Sequence, residues 1–207
     1  MALHDYVAEV VGSKASIRVL KALVRYRGKV FTVRELARTA GLSHPEVSTV
    51  VKELESRGVV KLRPVGRAQQ VVLNEESYVL KSIVEPLIAA EGNTLSSLAS
   101  AIRPFFKEKA ITSVAIFGSV ARGLEKKVSD IDLLIISEDK ELANECAAKA
   151  SETTLSTFGM GLSPLIMDVP LLIRKRSSDL VRSILESYIP VWGKDLKEVV
   201  GNGKDGR

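Results

Sequence analysis

The chain has 207 residues, of which 45% are hydrophobic and 27% charged, and its formal net charge is +5. This composition is that of a globular protein that can bury one large core or two small ones. It excludes a membrane-spanning protein, because no apolar run reaches the roughly 20 residues of a transmembrane helix. The first residues are too polar for a secretory signal and the chain has one cysteine, so we expect a cytoplasmic protein without a membrane partner.

The positive charge lies mainly in the first third of the chain. Residues 1–74 contain 13 Lys and Arg against 6 Asp and Glu, whereas residues 75–207 contain 17 against 19. A basic segment followed by a slightly acidic one indicates two domains, the first of which faces a polyanion. Together with the pattern of helices and strands, this predicts one domain over 1–75, a helical connector over 76–108 and a second domain over 109–207.

Three helices are predicted at the start of the chain. Apolar residues at helical spacing predict a first helix that ends near residues 25–28, and a second helix follows over about 33–40. The third helix begins with a capping box formed by Ser43 and Glu46 and ends at Gly58. A tight turn joins the second helix to the third, which makes a helix-turn-helix.

Two β-prone runs, 59–63 and 69–73, follow the third helix and predict a hairpin with a basic tip. A helix-turn-helix followed by such a hairpin is the element order of a winged helix. The stretch "FTVRELARTAGLSHPEVSTVVKELESRGVVKLRPVGRAQQVVL" resembles the transcription regulators of the multiple-antibiotic-resistance and arsenic-repressor type. The resemblance implies DNA binding, with the third helix in the major groove and the hairpin, or wing, along the DNA backbone.

Seven polar or basic side chains of this domain are candidates for DNA contact. Those on the outward face of the third helix can reach base edges or phosphates, and the arginines after the helix and on the wing can reach phosphates. The candidates are His44, Ser48, Thr49, Lys52, Arg57, Arg63 and Arg67. Winged helices also serve as protein-interaction or dimerisation modules, so both DNA binding and a pure interaction role stay open at this point.

The predicted connector is helical. Residues 76–91 predict a helix with an apolar stripe over 79–87, and Pro86 is expected to kink it. A further helix is predicted from Thr94. The apolar stripe is wide, which indicates that it either covers the second domain or forms the seam of a homodimer.

The stretch "FGSVARGLEKKVSDIDLLIIS", residues 117–137, contains the strongest functional pattern of the second domain. A short apolar strand leads into a turn at Gly118 and Ser119, and a second apolar strand opens with Asp130 and Asp132. Because side chains alternate along a strand, both carboxylates lie on one face. A divalent cation such as Mg²⁺ or Mn²⁺ would offset their repulsion, and the N–H groups of the Gly-Ser turn suit a phosphate.

The same residues resemble the nucleotidyltransferases of the polymerase-β superfamily, especially the minimal nucleotidyltransferases, over roughly residues 111–170. The resemblance implies an α+β fold overall: a winged helix-turn-helix domain, then a nucleotidyltransferase-fold domain with a small mixed sheet flanked by helices. It implies a nucleoside triphosphate as ligand and Mg²⁺ or Mn²⁺ as cofactor. The implied site residues are Asp130 and Asp132 for catalysis and metal binding, and Gly118, Ser119, Arg122 and Ser129 for nucleotide binding.

One part of the family pattern is missing from this chain. The family places a third carboxylate on the strand after the next helix, but the candidate strand 162–167, "LSPLIM", contains no acid. Asp168 follows the strand, where it is better placed to cap the next helix. Residues 163–167 are therefore expected to lie where the acid would be.

Three functional interpretations follow. The first is a Mg²⁺-dependent nucleotidyltransferase that the winged helix delivers to a protein or nucleic-acid acceptor. The second is a transcription regulator whose degenerate nucleotidyltransferase domain only senses nucleotide or dimerises. The third comes from family usage, in which minimal nucleotidyltransferases pair with a helical toxin-like protein and nucleotidylate it. The intact Gly-Ser turn and the aspartate pair favour the first and third interpretations, whereas the missing acid and the fused winged helix favour the second.

Overall fold

The computed structural model describes residues 6–66, 68–124 and 130–201. The chain divides into two compact units, Met1–Asn93 and Thr94–Arg207. The segment 76–108, predicted as a connector, is therefore shared: its first helical part belongs to the first unit and its second to the other. Within the described ranges, no helix has the length and apolar content needed to cross a membrane.

The first unit contains the predicted helices and hairpin, a short additional strand and a helical C-terminal part. Its elements are α1 (Tyr6–Val11), α2 (Lys14–Arg25), β1 (Phe31–Thr32), α3 (Val33–Ala40), α4 (His44–Ser56), β2 (Val60–Val65), β3 (Ala68–Leu73), a π-helical turn (Leu80–Val84) and α5 (Glu85–Gly92). The three strands form an antiparallel sheet in the order β1-β3-β2. This is the winged helix arrangement that the sequence predicted.

The wing strands run closer to the hairpin tip than the sequence predicted. β2 continues through Pro64, which lies opposite Gln69 of β3. A proline breaks a central strand because it has no N–H to donate, but β2 is an edge strand of this sheet, where proline is tolerated. The short strand β1 was not predicted, because two residues are too few to show a periodic pattern.

Both helices of the helix-turn-helix begin with a capping box. The Thr32 and Ser43 hydroxyls accept hydrogen bonds from the backbone N–H groups of Glu35 and Glu46, at 3.2 and 3.4 Å. The two glutamates accept in return from the backbone N–H groups of Thr32 and Ser43, at 2.8 and 2.9 Å. Gly41 ends α3 in the left-handed conformation, with φ of 65°. The turn between α3 and α4 is thus fixed by local bonds on both sides.

The helical segment after the wing completes the core of the first unit. Val79, Leu80 and Val84 are buried in the same cluster as the helix-turn-helix, whereas Leu87 is 46% exposed. The first half of the apolar stripe therefore belongs to the core of the first unit, whereas the sequence predicted that it covers the second domain or forms a dimer seam. The π-helical turn lies immediately before Pro86, where its wider backbone accommodates a ring that would clash in a regular α-helix.

The second unit is a small mixed sheet covered by helices on both faces. Its elements are α6 (Thr94–Ile102), a 3₁₀ turn (Arg103–Phe106), β4 (Ile111–Phe117), α7 (Gly118–Ala121), β5 (Ile131–Ser137), α8 (Lys140–Phe158), β6 (Leu162–Met167), α9 (Val169–Arg174), α10 (Asp179–Glu186), β7 (Ile189–Gly193) and α11 (Leu196–Gly201). The strand order is β6-β5-β4-β7, with β5 and β6 parallel and the other pairs antiparallel. The predicted α+β fold is confirmed.

Alternate residues of β5 serve the two faces of this sheet. Ile131, Leu133 and Ile135 belong to the core that includes α6 and α8. Leu134 and Ile136 belong to the core that includes residues of α9, α10 and α11. Asp132 shares the second face by alternation, at the end where β5 begins.

Candidate nucleotide site and candidate nucleic-acid interface

The two aspartates lie at the start of β5 on one face of the sheet. Asp130 directly precedes the strand, and Asp132 pairs across the sheet with Phe117, the last residue of β4. Burial raises the pKa of Asp132 and the negative charge of Asp130 raises it further, whereas the positive charge of Arg122 lowers it. A carboxyl group close to a second negative charge shows this pattern.

Gly118 makes room for the Asp132 carboxylate. Its φ is +76°, a conformation that side chains other than glycine rarely adopt, and a Cβ added to it would lie 2.0 Å from Oδ2 of Asp132. The turn between β4 and α7 therefore needs a glycine for its backbone and for the carboxylate beside it. The strand and the turn lie where the sequence predicted them, and phosphate binding by Gly118 and Ser119 stays a prediction.

The parallel strand β6 borders the site on its other side. Asp132 is in register with Ser163, and residues in register on neighbouring strands point to the same face. The backbone N–H of Ile131 donates to the carbonyl of Gly161 at 2.8 Å, which places Gly161 beside Asp130. Of the segment 163–167, Ser163 is thus the residue next to the aspartate pair.

Asp168 is a helix cap, as the sequence predicted. Its Oδ1 accepts a hydrogen bond from the backbone N–H of Leu171 at 2.7 Å, at the start of α9. It lies five residues beyond Ser163, which corresponds to roughly 16 Å along an extended strand. No group of three or more His, Cys, Asp or Glu side chains that could hold a metal ion is found among the described residues.

The chemistry of the pair nevertheless fits a magnesium or manganese ion. Asp130 and Asp132 supply hard oxygen donors, and Mg²⁺ is commonly held by one or two carboxylates together with substrate phosphates and water. The two glycines at 118 and 161 leave the space that these carboxylates occupy, since a Cβ at either would collide with one of them. Within the described residues, the site thus offers two carboxylate ligands, Asp130 and Asp132, and no third one.

Arg122, a further predicted nucleotide-binding residue, contacts α10. The Nη1 atom of Arg122 donates a hydrogen bond to Oγ of Ser183 on α10 at 3.1 Å. Ser183 was not singled out from the sequence, because its nearness to Arg122 depends on how α10 packs. Ser129 lies outside the described residues.

The candidate DNA-binding face contains a cleft of about 740 Å³ between the helix-turn-helix and the wing. It is lined by Thr32, Val33, Arg34, His44, Ser48, Val65, Ala68 and Gln69. Two of the predicted contact residues, His44 and Ser48, thus share one concave surface with the wing. Arg34 was not predicted, although its place at the start of α3 brings it to the same cleft.

The remaining candidates on this unit differ in accessibility. Thr49, Lys52 and Arg63 are exposed, as a role in DNA contact requires. Arg57 instead forms an ion pair with Glu9, and its side chain is only 21% exposed. This ion pair links the end of α4 to α1. The Arg57 guanidinium is therefore engaged within the protein and is a poor candidate for contact with a DNA phosphate. Arg67 lies outside the described residues.

Comparison with protein families agrees with this division of the chain. Residues 13–69 match the MarR family, and residues 99–190 match the nucleotidyltransferase domain family. The chain is a MarR-family winged helix domain fused to a nucleotidyltransferase domain.

Three similar proteins each match a part of the chain. The uncharacterised protein MJ1254 of Methanocaldococcus jannaschii is 32% identical over 63 residues, which cover 30% of this chain and 13% of that protein. NolR from Sinorhizobium fredii is 18% identical with a TM-score of 0.35, covering 42% of this chain and 82% of NolR. A toxin–antitoxin structure with AMP-PNP is 18% identical with a TM-score of 0.36, covering 53% and 81%. Likenesses at this level assign no ligand or partner to this chain.

Proposed function

We propose that the second unit binds a nucleoside triphosphate together with Mg²⁺ or Mn²⁺, and that Asp130 and Asp132 hold the metal. The observation that supports this most strongly is the space made for both carboxylates. A Cβ at Gly118 would lie 2.0 Å from Asp132, and a Cβ at Gly161 would lie 2.6 Å from Asp130. Two glycines from different elements thus let two mutually repelling carboxylates share one corner of the sheet, an arrangement that suits a bound cation.

Each residue of the site has a distinct part in this proposal. When bound, the cation would neutralise triphosphate charge and make the α-phosphorus more open to attack. The backbone N–H groups of Gly118 and Ser119 would bind phosphate oxygens, and Arg122 would add a positive charge near them. Ser183 would hold the Arg122 guanidinium through the hydrogen bond at 3.1 Å. Ser129 is proposed for the same pocket on the family pattern alone.

Transfer of the nucleotidyl group is proposed to be slow. The residue beside Asp132 on β6 is Ser163, which cannot take a proton from an attacking hydroxyl as a carboxylate can. General-base help of this kind contributes on the order of 10²–10⁴-fold to a rate. This observation also favours the second candidate function, a regulator that binds nucleotide without rapid turnover. A protein or nucleic-acid acceptor, including a helical toxin-like partner, rests on the family resemblance alone.

For the first unit we propose DNA binding, with α4 and the wing as the contact surface. The MarR-family match, the basic charge of residues 1–74 and the cleft between α4 and the wing support this role. His44, Ser48, Thr49 and Lys52 would read bases or phosphates, and Arg63 would contact the backbone. MarR-type winged helices commonly act as homodimers, so a dimer is part of the proposal.

Calorimetric titration of ATP into the full chain tests the nucleotide site. We expect binding with Mg²⁺ present and little binding with EDTA, because the aspartate pair alone repels the phosphates. Asp130→Asn combined with Asp132→Asn should remove the metal dependence. Lys140→Ala, an exposed substitution elsewhere on the same unit, serves as the control. Equal ATP affinity with and without Mg²⁺, or unchanged Mg²⁺ dependence in the double variant, would refute the assignment.

A further inference from the structure

Gly161 lies directly against the carboxylate of Asp130. It directly precedes β6, and its carbonyl accepts the backbone N–H of Ile131 at 2.8 Å. Since Ile131 is in register with Leu162, the residues before them, Asp130 and Gly161, lie side by side on the face that carries Asp132. The backbone at the start of β6 therefore borders the aspartate pair on one side.

The contact leaves no room for a side chain at this position. A Cβ added to Gly161 would lie 2.6 Å from Oδ1 and 3.3 Å from Cγ of Asp130, where ordinary contacts begin at 3.4 Å. Oδ1 is the end of a short side chain, so the carboxylate can turn away from the added atom. The collision would thus be relieved by moving Asp130 and not by moving the strand.

The backbone itself gives no reason for a glycine here. Gly161 is not among the glycines with a positive φ, in contrast to Gly118, whose φ is +76°. An alanine is therefore compatible with the chain conformation at 161. The neighbouring carboxylate is the group that an alanine would disturb.

We propose that Gly161 is a positioning residue that sets where the Asp130 carboxylate lies relative to Asp132. It acts by having no side chain, which lets β6 lie against Asp130 and keeps both carboxylates in one site. The consequence for metal binding rests on the proposed function of the aspartate pair. The placement of the Asp130 carboxylate by Gly161 does not depend on that proposed function.

Mn²⁺ affinity tests the consequence for metal binding. Electron paramagnetic resonance of the full chain titrated with Mn²⁺ in the presence of AMP-PNP should show affinity reduced about tenfold or more in Gly161→Ala, as is usual when ligand orientation is lost. Gly201→Ala is the matched control, because a Cβ there meets no atom of the described residues within 4 Å and its φ is not positive. Both variants should unfold in urea as wild type does when followed by fluorescence of Trp192, the single tryptophan.

A double-mutant cycle separates positioning from a general structural effect. In an Asp130→Ala background, Gly161→Ala should change Mn²⁺ affinity by less than about twofold, because the residue through which it acts is gone. An equal loss in both backgrounds, or wild-type affinity in Gly161→Ala, would overturn the proposal.

A metal-free measurement separates this proposal from the proposed function. The side-chain carboxyl carbon resonance of Asp130, recorded by NMR at fixed pH without metal, should move in Gly161→Ala and not in Gly201→Ala. If wild type binds no Mn²⁺, the proposed metal site fails, while the NMR comparison still decides whether Gly161 places Asp130. An unmoved resonance in Gly161→Ala overturns the proposal whatever the metal result.

Discussion

The two units place their candidate binding residues in different ways. In the winged helix unit, His44, Ser48 and Lys52 lie on one helix, so helical spacing and the cap at Ser43 suffice to orient them. In the nucleotidyltransferase unit, the site joins the turn after β4, the start of β5 and the start of β6, and strand register decides which residues meet. A site on one helix can therefore be predicted from residue spacing, whereas a site built across strands can be predicted only when the strand register is known.

The largest effect is expected at Ser163, where register places a neutral residue beside Asp132. Ser163→Asp should supply the missing carboxylate and raise nucleotidyl transfer from α-labelled ATP, by up to about 10²–10⁴-fold if it serves as general base. Ser163→Asn, of similar size but uncharged, is the control and should leave the rate unchanged. Rapid labelling by wild type, or no gain in Ser163→Asp while Mg²⁺-dependent ATP binding is intact, would contradict the proposed role of this position.

Much of the fold could be predicted from the sequence because its signals are local. The bounds of α3 and β6, the capping box of α4 and the cap at Asp168 were all predicted and confirmed, since each depends on residues only a few positions apart. The selection of Ser163 within 163–167, the closeness of Gly161 to Asp130 and the pairing of Arg57 with Glu9 were not predictable. Each depends on contacts between residues far apart in the chain.

The free energy of unfolding of a Gly118 variant gives a second test of the site that is built across the strands. Gly118→Ala introduces both an unfavourable φ and a collision with Asp132. Gly123→Ala introduces only the unfavourable φ, of +65°, because no atom of the described residues lies within 4 Å of a Cβ there. The backbone effect should lower the free energy of unfolding by about 1–2 kcal/mol in both variants. The collision should add about 1–3 kcal/mol in Gly118→Ala alone. Urea unfolding followed by Trp192 fluorescence measures the difference, and equal losses would show that Asp132 does not press on Gly118.

The pH dependence of metal binding gives a further comparison with an ordinary exposed carboxylate. Burial and the charge of Asp130 raise the pKa of Asp132 above its ordinary value of 3.8. Since a metal ion binds the ionised form, Mn²⁺ affinity should fall on acidification at pH values where an exposed Asp is still fully charged. The expected limit for one proton is about tenfold per pH unit. Affinity that is flat down to the ordinary carboxyl range would contradict the crowded environment of Asp132.

The smallest effect is expected for DNA binding by the winged helix, because several exposed side chains each contribute a part of the affinity. Lys52→Ala should weaken binding of duplex DNA to the full chain several-fold and reduce the dependence of log affinity on log salt by about one, because one phosphate contact is lost. Lys140→Ala removes the same charge from the other unit and should have no effect. If neither variant nor wild type shifts duplex DNA at low salt, the interaction-module interpretation of the first unit is favoured.

The most direct test of the central claim is to locate a metal ion in the nucleotidyltransferase unit. Crystals of the full chain grown with MnCl₂ and AMP-PNP should show an anomalous scattering peak between Asp130 and Asp132, within roughly 2–2.3 Å of one oxygen from each. The peak should disappear in Asp132→Asn crystals grown under the same conditions. Bound nucleotide with no peak at the pair, or a peak held by other residues, would contradict the assignment of Asp130 and Asp132 as metal ligands.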